Sequence, residues 1–126
     1  MIKYEVKVYN DGTKHWFLKG DRHREDGPAV EFGNGTKWWY LNDMRHREDG
    51  PAVEYTDGTK FWYLNGKIHR EDGPAVEYAD GTKCWYLNGE KLTEEEHKAK
   101  TTPTVELTME EICKALGKNV KVKQND

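Results

Sequence analysis

The sequence has no serine, only two cysteines and four prolines, and no apolar run near the ~20 residues of a membrane-spanning helix. Each shortage excludes something. Without serine there is no serine nucleophile for a histidine to activate. Cys84 and Cys113 show no paired-motif spacing, so no disulfide framework is expected and reduced thiols in a cytosol are the default. The opening stretch MIKYEVKVYNDG alternates polar and apolar residues and carries no apolar signal core, which makes the cytoplasm the expected location. The formal charge is −3, with acids and bases interspersed. A chain with no basic footprint is a poor partner for nucleic acid or an anionic membrane.

What is abundant is aromatic. Seven Tyr and five Trp accompany an apolar fraction of 35%, so large rings must do the burying. They recur in register. His23, His46 and His69 each open the string His-Arg-Glu-Asp-Gly-Pro-Ala-Val-Glu at a period of 23 residues. Each copy continues through an aromatic (Phe32, Tyr55, Tyr78), a Gly-Thr-Lys turn (Gly35, Gly58, Gly81) and a Trp-Tyr-Leu-Asn run beginning at Trp39, Trp62 or Trp85. A partial copy with Tyr9, Gly12, Thr13, Lys14, Trp16, Phe17 and Leu18 precedes them, and Leu92 stands where the next histidine would fall.

Within one unit the signals are for strand. Pro51–Tyr55 and Lys60–Leu64 are short β-branched and aromatic runs joined by the Gly-containing loop 56–59. Asn65-Gly66 suits a type I′ turn, because both residues tolerate positive φ. Asp49-Gly50-Pro51 reads as a third punctuation: Asp49 bonds its own backbone two residues on, Gly50 takes positive φ and Pro51 fixes the start of the next strand. A two-strand unit cannot bury its own faces, whereas stacked copies form a continuous sheet. The expected fold is mainly β: a single-layer twisted antiparallel sheet of stacked hairpin repeats over 1–92, with a small C-terminal α/β cap over 93–126.

The pattern W-Y-L-N-G-K-x-H-R-x-D-G-P-A-x-x-Y-x-D-G-T-K resembles a divergent MORN repeat. It resembles still more closely the H-R-x-D-G-P-A repeat proteins commonly encoded by bacteria and their phages. The resemblance covers about residues 4–92. Arg-Glu-Asp-Gly-Pro follows each histidine where ordinary MORN units have Gly-x-Gly, so the lipid-binding role suggested for some MORN proteins is not carried over.

In the tail, Thr93 and Glu96 have capping-box spacing and open a helix to about Lys100, stopped by Thr102-Pro103. A strand over 104–107, a second capping box at Thr108 and Glu111, and an amphipathic helix with Met109, Ile112, Cys113 and Leu116 on one stripe follow. Gly117 reads as that helix's C-cap, and 119–123 as a last strand. The stretch 107–122 resembles an ending common in small phage proteins.

The histidine ladder invites a metal, but equivalent residues of successive units lie about 10 Å apart, while zinc ligands sit ~2 Å from one ion. A structural histidine or a repeated surface contact is the better reading, with no metal or other cofactor. Cys84 occupies a position held by His15, Trp38 and Phe61 elsewhere, a poor setting for a nucleophile, and the chain is expected not to be an enzyme. Arg47 and Arg70 belong to a ladder that either pairs with neighbouring acids or grips a partner. The unit from His46 to Ile68 nets −1, counting Arg47, Lys60 and Lys67 against Glu48, Asp49, Glu54 and Asp57, which speaks against a phosphate track.

Side chains alternate along a strand, so Trp62 and Leu64 face one way and Phe61 and Tyr63 the other. Both faces are apolar. Either both are used in packing, or one of them, with the variable column His15, Trp38, Phe61 and Cys84 flanked by Phe17, Tyr40, Tyr63 and Tyr86, is open to a partner or closed by a second copy in a homodimer. The candidate contact residues are Trp38, Tyr40, Phe61, Tyr63, Tyr86, Arg47 and Arg70. A protein partner is expected, a host protein such as a defence or nuclease component that it inhibits if the chain is phage-encoded. The alternative is a small-ligand binder: the W-Y-L-N runs also look like choline-binding repeats, which cage an ammonium by cation–π attraction, and Arg with aromatic rings could sequester a nucleotide messenger.

Overall fold

Turn chemistry sets the architecture. The computed structural model describes residues 3–103 and 107–116. Asn65 and Gly66 have φ of 49° and 81°, the pair of positive values a type I′ turn demands. Lys19-Gly20, Asn42-Asp43 and Asn88-Gly89 repeat this at the equivalent places. The other turn of each unit is a four-residue loop closed by backbone bonds, Tyr55 N–H to Thr59 O at 3.0 Å and Gly58 N–H to Tyr55 O at 3.1 Å. Asp57 Oδ1 accepts from Thr59 N–H at 2.9 Å, and Gly58 takes the left-handed position with φ of 96°.

Between the turns run β1 (Glu5–Val8), β2 (Lys14–Leu18), β3 (Asp21–Arg22), β4 (Val30–Glu31), β5 (Lys37–Trp38), β6 (Tyr40–Leu41) and β7 (Met44–Arg45). The series continues with β8 (Val53–Glu54), β9 (Lys60–Phe61), β10 (Tyr63–Leu64), β11 (Lys67–Ile68), β12 (Val76–Glu77), β13 (Lys83–Leu87) and β14 (Glu90–Leu92). The main sheet runs β1-β2-β4-β5-β8-β9-β12-β13-β14, with β3 beside β2; β6-β7 and β10-β11 are separate hairpins. The chain is mainly β, a single-layer antiparallel sheet of stacked hairpins, and it does not close into a barrel among the described residues.

The run Lys60–Leu64, expected as one strand, is broken at Trp62. Its lower half pairs with β8 and β12 of the main sheet and its upper half with β11. Trp62 itself bridges the change: its N–H donates to Ala75 O at 2.8 Å and its carbonyl accepts from His69 N–H at 3.0 Å. Pro51–Tyr55 likewise shortens to Val53–Glu54. The hydrogen bonds are kept while the partner changes, so the break costs little.

The core is thin and repeated. Ala29, Ala52 and Ala75 and, beside them, Val30, Val53 and Val76 are buried. Asp49-Gly50-Pro51 is built differently from expectation. Gly50 does not have positive φ; a Cβ there would lie 2.9 Å from the guanidinium carbon of Arg47. Asp49 Oδ1 accepts from Arg47 Nε at 3.0 Å instead of turning onto its own backbone. Glycine leaves room for the arginine to lie there, and Gly27 and Gly73 repeat the arrangement against Arg24 and Arg70.

At the end of the array α1 (Glu94–Thr101) starts from Thr93, whose hydroxyl accepts from Glu96 N–H while the Glu96 carboxylate accepts from Thr93 N–H. His97 on α1 is buried, with Nε2 2.6 Å from Arg70 O, so the helix seals the last unit. The second capping box forms between Thr108 and Glu111 ahead of α2 (Met109–Leu116). The strand over 104–107 falls mostly on 104–106, outside the described residues, and Leu107 is not in a strand. Gly117 and the strand over 119–123 also lie outside them. No helix among the described residues is long and apolar enough to cross a membrane.

Candidate interaction surface

Register assigns every side chain to a face. His15, Val30, Trp38, Val53, Phe61, Val76 and Cys84 are successive cross-strand partners and share one face. The next residue along each strand gives Lys14, Glu31, Lys37, Glu54, Lys60, Glu77 and Lys83 on the other, an unbroken alternation of charge in which every neighbour is of opposite sign.

The glutamates of the charged face are partly covered from within, while its lysines stay exposed. Each His-Arg-Glu-Asp-Gly-Pro loop folds across it, and Arg24, Arg47 and Arg70 lie over the rings of Trp16, Trp39 and Trp62 with Cζ at 4.1, 3.9 and 4.0 Å from the centroids. Arg47 also donates from Nη1 to Pro51 O at 3.1 Å and to Glu54 at 3.4 Å. Arg70 does the same with Pro74 O at 3.0 Å. Arg47 and Arg70, expected at a partner interface, are therefore engaged inside the fold and turned away from the variable aromatic column.

The histidines are also engaged. Nδ1 of His23, His46 and His69 accepts the backbone N–H of Asn42, Asn65 and Asn88, each at 2.9 Å. Each thus pegs the start of one copy to the turn at that copy's far end, 19 residues on. The opposite ring nitrogen lies 3.5, 3.6 and 3.7 Å from Glu25, Glu48 and Glu71. Since a backbone N–H can only donate, Nδ1 must carry the lone pair and Nε2 the proton.

The second face holds the aromatic columns. Phe32 packs edge-on against Trp38 at 4.7 Å, and Tyr55 and Tyr78 flank Phe61 at 6.0 and 6.1 Å. Tyr40 pairs with Arg45 across its hairpin, and Arg45 Cζ lies 5.3, 6.0 and 5.5 Å from the rings of Trp38, Tyr40 and Tyr63. Arg22 stands 5.8 Å from Tyr40, and Lys7 is 5.2 Å from Phe17. His15 is held below the ordinary histidine range, first by burial and then by the positive charges of Arg22 and Lys7.

Of the predicted contact residues, this face brings together Trp38, Tyr40, Phe61, Tyr63 and Tyr86, although Tyr40 is buried. The most exposed rings were not among those predicted: Tyr9, Tyr55 and Tyr78 are 51%, 42% and 43% exposed. Their signal was the parity of the strand, which puts Tyr55 on the same side as Val53. Arg22 and Arg45 were missed as well. The two-residue turn at Asn42-Asp43 already places Arg45 opposite Tyr40.

Comparisons with protein-family models, curated proteins and solved structures found no match to this chain.

Proposed function

We propose that the chain is a non-enzymatic protein-binding module that docks a partner on its aromatic face. The observation that carries the reading is the asymmetry of the sheet: the loops roof one face with arginine on tryptophan, while Tyr55 and Tyr78 stand exposed beside Phe61 on the other. Tyr is one of the residue types that dominate binding hot spots. With the resemblance to repeat proteins of bacteria and their phages, the proposed partner is a bacterial host protein in the cytoplasm, a defence component or nuclease that the chain inhibits. The ammonium-cage reading is the weaker one, because Arg22 and Arg45 already sit against the rings of Tyr40, Trp38 and Tyr63.

The test is capture from a bacterial lysate by the wild-type chain and by Tyr55→Ala combined with Tyr78→Ala. The wild type is expected to retain one protein in stoichiometric amount, and the folded double variant to lose it. Equal retention by both, or nothing stoichiometric on the wild type, would overturn the reading.

A further inference from the structure

We propose that β1 is a self-complementary edge through which two copies of the chain pair antiparallel, in one register, into a continuous sheet. This surface is separate from the aromatic face. The sheet order places β1 at an end, with β2 on one side only among the described residues. Tyr9 N–H donates to Thr13 O at 2.8 Å, in the same register that sets Lys7 against His15 and Glu5 against Phe17. Hydrogen-bonded pairs alternate along an antiparallel ladder, so residues 5, 7 and 9 spend their backbone groups on β2. The N–H and C=O of Tyr4, Val6 and Val8 point to the free edge. Val6 and Val8 are 42% and 65% exposed, which leaves a short row of unpaired donors and acceptors carrying apolar side chains, the surface to which another strand adds.

Charge selects the occupant and the register. Only the outward-pointing even residues can form the new hydrogen-bonded pairs, so two β1 strands can meet with Val6 on Val6, Tyr4 on Val6, or Val6 on Val8. The second puts Glu5 opposite Glu5 and the third puts Lys7 opposite Lys7, and like charges directly opposite destabilise a pair. With Val6 on Val6, Glu5 of each copy lies opposite Lys7 of the other, twice by symmetry, and Val8 of each lies beside Tyr4 of the other. Lys7 by itself is the kind of edge residue that discourages pairing. Glu5, two residues away on the same face, converts it into a matching element. The contact is isologous and closes at two copies. Odd residues meet odd residues, so the two aromatic faces lie on one side of the joined sheet and form a surface of doubled length. An edge contact of this length buries well under the ~1,200 Å² of a standard interface, so the dimer is expected to depend on concentration.

The test is sedimentation of the chain over a range of concentrations together with three variants. The wild type should pass from monomer to dimer. Val6→Pro should remain monomeric with an unchanged circular dichroism spectrum, since the N–H it deletes points away from β2. Glu5→Lys and Lys7→Glu should each raise the dimer dissociation constant about tenfold or more, and an equimolar mixture of the two should restore a heterodimer, because five- and seven-position charges are then opposite again. A wild type that stays monomeric throughout, a dimer that survives Val6→Pro, open-ended assembly, or a mixture no tighter than its components would each overturn the proposal. None of these outcomes depends on whether the aromatic face captures a partner.

Discussion

The guanidinium carbon of Arg47 lies 3.9 Å from the centre of the Trp39 ring. This stack, made three times, is what roofs one side of a sheet too thin to have a second layer. Cation–π contact at a desolvated site is worth up to about 2 kcal/mol, and Arg47 adds bonds to Pro51 O and Glu54. Its third partner, Asp49, is 84% exposed against 20% for Arg47, and such exposed ion pairs contribute little.

Arg47→Ala is therefore expected to cost about 2 kcal/mol in urea denaturation, and Asp49→Ala no more than about 0.5 kcal/mol. Gly50→Ala inserts a Cβ 2.9 Å from the Arg47 guanidinium carbon and should dislodge the stack. Combined with Arg47→Ala it should then cost clearly less than the sum of the two changes, the mark of a shared interaction. Full additivity would show that the stack is not what Gly50 protects.

The histidine pegs predict a tautomer. Nitrogen NMR should find His23, His46 and His69 protonated at Nε2 when neutral, because Nδ1 accepts from Asn42, Asn65 and Asn88. His46→Ala leaves the Asn65 N–H without its partner and should cost about 1 kcal/mol. Protonation at Nδ1 in the neutral ring would contradict the geometry.

Acid sensitivity should trace to the hairpin loops. The carboxyls of Asp11, Asp57 and Asp80 are held below the ordinary Asp range, chiefly by the backbone N–H of Thr13, Thr59 and Thr82 and then by their hydroxyls. A depressed native pKa favours the folded state above the unfolded value of about 3.9. That contribution is lost as pH falls from there through the lower native value. Asn34 makes the same bond to Thr36 N–H at 2.9 Å without a titrating group. Replacing all three Asp by Asn should therefore flatten the loss of stability below about pH 4 while leaving the neutral fold intact. An unchanged acid limb would rule the loops out as its source.

The period, the two turn types, both capping boxes and the alternation of faces are local properties, set by φ preferences, short-range hydrogen bonds and the two-residue repeat of a strand, and they were legible along the chain. The break at Trp62 was not, since it depends on bonds to Ala75 and His69 that exist only when a neighbouring unit is in place. The role of Gly50 was misread for the same reason: the arginine that needs its space is fixed by a ring eight residues upstream.

The sequence by itself determined that like segments would stack as rungs of one sheet, because a lone unit has no way to bury its rings. Only the tertiary structure decided which side of the sheet carries the arginine–tryptophan roof and which carries the exposed Tyr55 and Tyr78 rings. That outcome depends on where each connecting loop crosses, and a loop's path is fixed by side-chain contacts between separate elements, Arg47 with Trp39 and Glu54 and His46 with Asn65, that no backbone preference encodes.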